Sequence, residues 1–280
     1  MEQKNSSLLN VVEEYAASET LNLPIFPGVA RELYAKINDQ DSSINDIAAI
    51  VGKDQAMAAQ MLKLANSAFF AGLNKARTIR ECIMRLGVKQ VYNCLVAGSQ
   101  KDFYASRDPV IDKHLATLWQ HALATAKGSQ WLLRKTGYPE AAEEGFLAGL
   151  FHDIGKLLLL KVFETIRAER KDITLSQPFL LEILDFMHVD QGYTLMKGWN
   201  MPEVYCDVEK HHHDEDIQNA DPLLLGVRIV DRLCAKSGLS FKPDPTISPA
   251  TLPEVAALSV KEIVLAELEV LIEDTNDQPM

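Results

Sequence analysis

Residues 149–160 read GLFHDIGKLLLL and set His152, Asp153 and Lys156 inside an otherwise apolar run. A segment of this hydrophobicity is built to be buried, and burying a charge is costly unless it is paired or bound to a metal. The stretch is therefore either a satisfied polar pair in a core or part of a metal site. An isolated His-Asp dipeptide is common, so the choice depends on what else the chain brings to the same place.

The surrounding pattern is helical almost throughout. In INDIAAIVGKD, residues 44–54, Ile44, Ile47, Ala48 and Val51 follow the i, i+3, i+4, i+7 spacing of one helix face. Ser43 and Asp46 stand before it as an N-cap pair. Gly87 reads as a stop between two helices, and a long helix is expected over 109–135, closed by Gly137 and Pro139. Further helices are expected over 140–151, 156–170, 177–198, 202–213 and 221–237, with Gly155 relaxing a junction. Period-two alternation is absent over any useful length, so the fold class expected is all-α. Prolines cluster in PDPTISPATLP, residues 243–253, as a strap or linker. Ser259 and Glu262 then give a second capping pattern before a short final helix.

Composition bounds the function. Of 280 residues, 47% are hydrophobic and 24% charged, ordinary values for a folded globular protein. The net charge of −11 disfavours general nucleic-acid binding. A local basic excess over 53–90 reads first as a solvated face or a seam. Cys82, Cys94, Cys206 and Cys234 stand far apart without a C-x-x-C, which reads as reduced thiols of a cytoplasmic protein. The N-terminal residues MEQKNSSLLNVVEEYAAS lack the pattern of a signal peptide, and no stretch is long and apolar enough to be expected to span a membrane.

Histidine is distributed in a way that random scatter would rarely give. All seven, at 114, 121, 152, 188, 211, 212 and 213, lie in the stretch 114–213. His121, the His152–Asp153 pair, His188, the 211–213 run and Asp231 stand on five different predicted helices in apolar settings. Imidazole and carboxylate without thiolate are ligands for Fe, Mn, Zn or Ni. Six or seven such groups exceed the need of one tetrahedral site and suit two divalent ions sharing a carboxylate such as Asp153. Lys156, one turn after His152, faces the same cleft and is placed to hold phosphate charge. Helical phase with Val204 and Val208 favours His211 and His212 as the ligands from the histidine run, and a shift of one residue would choose His212 and His213.

In order along the chain, His121, HDIGK at 152–156, His188, HHH at 211–213 and Asp231 resemble the H…HD…H…HH…D pattern of the HD superfamily of metal-dependent phosphohydrolases. LPIFPGVA at 23–30, KLANSAFF at 63–70 and TIRECIMRLG at 78–87 narrow the resemblance to HDOD proteins, the HD-related output domains of bacterial signalling. It covers about residues 21–240. The HD-GYP branch of cyclic-dinucleotide phosphodiesterases is a poorer match: HHHDEDIQNADP lacks its Gly-Tyr-Pro run, and Thr117 stands where some three-metal members carry Glu.

The resemblance implies an HD-like helical bundle with an N-terminal helical lobe. The organisation expected is an extension over 1–20, an HDOD domain over 21–240 with lobes 21–107 and 108–240, and a strap and helix over 241–280. It implies phosphoester hydrolysis by metal-activated water on a phosphorylated small molecule or nucleotide. One or two divalent ions would be held by His121, His152, Asp153, His188, His211, His212 and Asp231, with Asp153 and Lys156 catalytic. The alternative it implies is a regulatory module with a signalling protein partner, binding metal or ligand without turnover.

Overall fold

The computed structural model describes residues 2–17, 28–37, 39, 41–53, 55–67, 75–173 and 175–277. They form fourteen α-helices and two 3-10 turns, with no strand among the described residues, so the chain is all-α. Two compact units emerge from the packing. One comprises α2 (Gly28–Ile37), α3 (Ile44–Gly52), α4 (Gln55–Ala65), α5 (Ile79–Leu86) and α6 (Val88–Gln100). The other comprises α1 (Glu2–Ala16), α7 (Pro109–Lys135), α8 (Pro139–Phe151), α9 (Ile154–Glu169), α10 (Gln177–Gly198), α11 (Glu203–His211), α12 (Pro222–Lys236), α13 (Pro253–Ala257) and α14 (Glu262–Asp277).

Local chemistry explains the helix boundaries. In the smaller unit, Ser43 and Asp46 form a reciprocal capping box at the start of α3. The buried face of α3 is Ile47, Ile50 and Val51, while Ile44, in the first turn, is exposed. Gly87 takes φ 81°, which ends α5 and lets α6 begin at the next residue. Several of the basic residues over 53–90 are engaged locally: Lys53 pairs with Glu32 at 2.6 Å, Arg80 donates to Asn45 and Arg85 to the Ala65 carbonyl. Residues 23–27 and 68–70 of the two family-like segments lie outside the described residues.

In the larger unit α7 is the central element. Asp108 caps it by accepting from the amides of Val110 and Ile111, and Pro109 fills the first turn, where no amide is needed. Leu115, Leu118, Ala122, Ala126 and Leu133 run along its buried side. One core forms where Leu132 of α7 meets Leu225, Ile229 and Leu233 of α12 and Leu265, Leu268 and Ile272 of α14. α9 is apolar on nearly every side, with Leu157, Leu158, Leu159, Leu160, Val162 and Phe163 all buried. It packs against α10, α7 and α1.

Two expectations are corrected here. Ser259 does not cap the last helix. It sits at φ 52° in the turn that closes α13, and α14 begins only at Glu262. Gly155 is not a relaxed junction but an ordinary helical residue of α9 at a point of very close approach. A methyl group there would overlap the His188 carbonyl oxygen of α10, and one at Gly192 would overlap the Glu209 carboxyl of α11. The two glycines thus let the backbones of α9 and α10 meet beside His188.

Gly155→Ala is therefore expected to destabilise the protein by about 3 kcal/mol or more, because backbone rather than a pliable side chain must move. Gly198→Ala, where a methyl meets open space, is expected to be neutral or to stabilise by about 0.5–1 kcal/mol. Thermal and urea denaturation of the two variants check the contrast.

Candidate metal centre

Six helices of the larger unit deliver the polar residues to one place. His121 comes from the middle of α7, His152 caps the C-terminus of α8, and Asp153 stands at the junction with α9. His188 comes from α10, His212 from the end of α11 and Asp231 from α12. Asp153 occupies the N-cap position of α9, where an aspartate usually accepts a hydrogen bond from the helix amides. Its side chain makes no such bond and turns into the cluster.

The two oxygens of Asp153 face different groups. Oδ2 lies 3.3 Å from His121 Nε2 and 3.6 Å from His152 Nε2, and Asp231 Oδ1 lies 3.3 Å from the same His121 nitrogen. Oδ1 lies 3.5 Å from both His188 Nε2 and His212 Nε2. Two ligand sets result, His121–His152–Asp231 and Asp153–His188–His212–His213, each with its ligand atoms within 4.8 Å of one another. Asp153 borders both. Its side chain is 3% exposed, and those of His152 and His212 are fully buried.

Backbone hydrogen bonds fix how the rings point. His121 Nδ1 donates to the Leu239 carbonyl at 2.7 Å and His152 Nδ1 to Gly149 at 2.8 Å. His188 Nδ1 donates to Asp185 at 3.1 Å and His212 Nδ1 to Glu209 at 2.6 Å. A carbonyl only accepts, so each Nδ1 carries a proton and each Nε2 turns inward, the orientation a metal ligand needs. Asp153 Oδ1, His188 Nε2 and His212 Nε2 are buried without a hydrogen-bond partner. Orphaned acceptors facing one another without a donor are what a cation site leaves when only protein atoms are considered. The donor set fits a divalent metal.

The His121 side is satisfied differently. His121 Nε2 and His152 Nε2 are 3.1 Å apart, too close for two lone pairs, so a proton or a cation must lie between them. Burial opposes charge on His121, but Asp153 and Asp231 outweigh it and hold the pKa well above 6.5. Burial pushes His152 the other way, to the neutral form. Lys156 Nζ bonds Asp153 Oδ2 at 2.7 Å. Although burial opposes its charge too, Asp153 and Asp231 keep it protonated. Both aspartates are held well below the ordinary carboxylate range against burial, Asp153 chiefly by Lys156 and Asp231 chiefly by His121. Burial, reinforced by Lys156, depresses His188 to about 3, so it is neutral at neutral pH.

The structure brings His121, His152, Asp153, Lys156, His188, His212 and Asp231 together. It does not bring in His211, which turns to Asp214 at 2.7 Å, and His213 stands in its place beside His188 and His212. The expected helical phase fails for a definite reason. The buried face of α11 is Tyr205, Val208, Glu209 and His212, not Val204, Val208 and His211. Glu209 occupies an inward position that a hydrophobic pattern skips. Its burial, next to Asp153, raises its pKa well above 4.5 and keeps it uncharged. α11 ends at His211, so His213 leaves the helical phase and swings back to the cluster.

Comparison with known proteins agrees with this architecture. The HDOD domain model matches residues 23–215. An uncharacterised protein of Treponema pallidum (strain Nichols) is 25% identical over 198 residues, which cover 69% of this chain and 38% of that protein. The chain thus spans well under half the length of that curated relative. A solved HDOD domain protein of unknown function from Geobacter sulfurreducens superposes with a TM-score of 0.72 at 22% identity, covering 96% of each chain. A solved protein from Shewanella amazonensis SB2B, named as a candidate metal-dependent phosphohydrolase, gives 0.71 at 19% identity over 98% of each. Likeness at this identity speaks for the fold, and the family match over more than half the sequence speaks for descent. This chain belongs to the HDOD domain family.

Proposed function

We propose that this centre binds one or two divalent metal ions and that the protein hydrolyses a phosphoester of a small molecule or nucleotide. The observation that carries the reading is Asp153, whose two oxygens each face a separate set of inward-pointing imidazoles. The name of the Shewanella protein points the same way. His188, His212, His213 and Asp153 Oδ1 would hold the first ion, because there the buried acceptors have no other partner. His121, His152, Asp231 and Asp153 Oδ2 would hold a second. His211 is left out of the ligand set because it bonds Asp214.

When bound, such ions polarise a phosphoryl oxygen and lower the pKa of a water molecule. The chain's own groups supply the rest. A shallow cleft lined by residues including Thr117, His121, Asp153, Lys156 and Phe241 lies beside the cluster. Lys156, charged and at the cleft wall, holds the phosphate. Asp153 positions Lys156 through their 2.7 Å bond. No helix among the described residues is long and apolar enough to cross a membrane.

Protein purified without chelator is expected to carry at least one equivalent of Fe, Mn, Zn or Ni, and Asp153→Asn to reduce this to background. Elemental analysis checks both, and wild-type protein that neither carries metal nor takes it up sinks the reading.

The second site should be pH-dependent with a definite sign. His121 must release a proton to ligate, so each pH unit below its raised pKa weakens that ion by up to about tenfold, and affinity rises as pH rises. The first ion, held by His188 with a depressed pKa of about 3, should be far less sensitive near neutrality. Calorimetric titration with Mn²⁺ at several pH values separates the two.

On metal-loaded protein, a phosphoester screen is expected to find sustained turnover that Lys156→Met lowers by about a hundredfold. Metal binding with no turnover on any ester would instead favour a regulatory module.

A further inference from the structure

The histidine turn at the end of α11 carries two of the proposed ligands, yet α11 is short and its last carbonyls lack helical partners. Hydrogen bonds hold four of the carbonyls at this end. The Val208 carbonyl accepts from the His212 amide and the Glu209 carbonyl from the His212 ring. The His211 carbonyl accepts from the Asp214 amide and also from Arg228 Nη1 at 3.2 Å. The His212 carbonyl accepts from the same Arg228 nitrogen at 3.1 Å. Arg228 in turn donates through Nε to Glu254 Oε1 at 2.8 Å. The pair is largely enclosed, with side chains 12% and 5% exposed.

Arg228 lies on α12, three residues before Asp231, so both project from neighbouring positions on one helix. Glu254 lies on α13, beyond the proline-rich strap. Both residues fall outside 23–215, the segment that matches the family. A buried ion pair is a poor way to gain stability, because desolvation cancels most of the attraction. It is a good way to fix a geometry: the planar guanidinium can bond a carboxylate with one edge and two carbonyls with another. A cation at a helix C-terminus is also favoured by the helix dipole.

We infer that Arg228, held by Glu254, is a positioning residue that sets the His212–His213 turn against Asp153 Oδ1. The inference rests on the metal reading above for the role of the turn. A lysine at 228 has one donor centre and cannot span both carbonyls and Glu254. A glutamine at 254 keeps the shape of the acceptor but loses the charge that orients the guanidinium.

The test uses the full chain as Arg228→Lys and Glu254→Gln. Lys236→Gln serves as control, since it breaks the α12 pair with Glu269, away from the cluster. Two measurements are made: hydrogen exchange of the metal-free proteins, and Co²⁺ titration. Both variants are expected to stay folded, with Glu254→Gln melting lower because it leaves the Arg228 charge unpaired. Both should exchange faster over residues 205–214 and bind the Co²⁺ held by His188, His212 and His213 at least about tenfold more weakly. The control should do neither.

Unchanged exchange over 205–214 in a folded variant overturns the inference, whatever metal does. So does faster exchange with unchanged Co²⁺ affinity, because the turn would then be loose without consequence. If one variant fails to fold, the other carries the same two measurements. Wild-type protein that takes up no Co²⁺, Mn²⁺, Fe²⁺ or Zn²⁺ overturns the metal reading and the positioning role with it. Wild-type uptake matched by both variants overturns the positioning role alone.

Discussion

Everything in the larger unit answers to one constraint, the burial of the Asp153 carboxylate. A carboxylate that is 3% exposed must be compensated. Compensation comes from Lys156 on its own helix and from the protonated His121 of α7, while His152, His188 and His212 turn acceptor nitrogens toward it. Asp153 has forgone the usual duty of its position, capping α9, to face these groups. The metal-free cluster is nearly balanced. Two carboxylates, Asp153 and Asp231, stand against Lys156 and a protonated His121, while His152, His188 and Glu209 are uncharged. The balance is uneven in space. The charges compensate on the Oδ2 side, and the unpartnered acceptors collect on the Oδ1 side.

Packing makes this arrangement possible. α9 approaches α10 closely enough for the Gly155 and Gly192 backbones to meet, which brings His188 down to the level of Asp153. Each ring is then fixed by a backbone carbonyl, three of them within the ring's own helix turn. The fourth, for His121, is supplied by Leu239 from the segment after α12. Since the rings are already oriented, binding an ion requires little rearrangement on the Oδ1 side. On the Oδ2 side it also requires loss of a proton.

Much of this is legible in the sequence, because its cues are local. Asp108–Pro109 marks the start of α7, Gly87 separates α5 from α6, and the Ser43–Asp46 box opens α3, each through chemistry within a few residues. His121, His152, Asp153, His188 and Asp231 stand out as polar residues in apolar stretches, and all five converge. The failures have a common physical origin. His213 lies past the helix end, where 3.6-residue phase no longer applies. Glu209 and Glu254 are acids turned inward, against the rule that hydrophobic residues mark the buried face. Gly155 reads as a hinge, but the reason for it lies on another helix, at the His188 carbonyl. Arg228 gives no signal at all, because its partners are carbonyls of another helix and a carboxylate beyond the strap.

The place where the family segment stops has a consequence for how this protein can be cut or recombined. Residues 23–215 contain Asp153, His188, His212 and His213, but Asp231, Arg228, Leu239 and Glu254 all follow. The same later helices, α12 and α14, cover the Leu132 side of α7 with Ile229, Leu233, Leu268 and Ile272. The family segment is therefore not a portable cassette in this chain. A fusion or duplication carrying it alone would inherit one complete set of ligands, the other set without Asp231, a bare apolar flank and a histidine turn with nothing behind it.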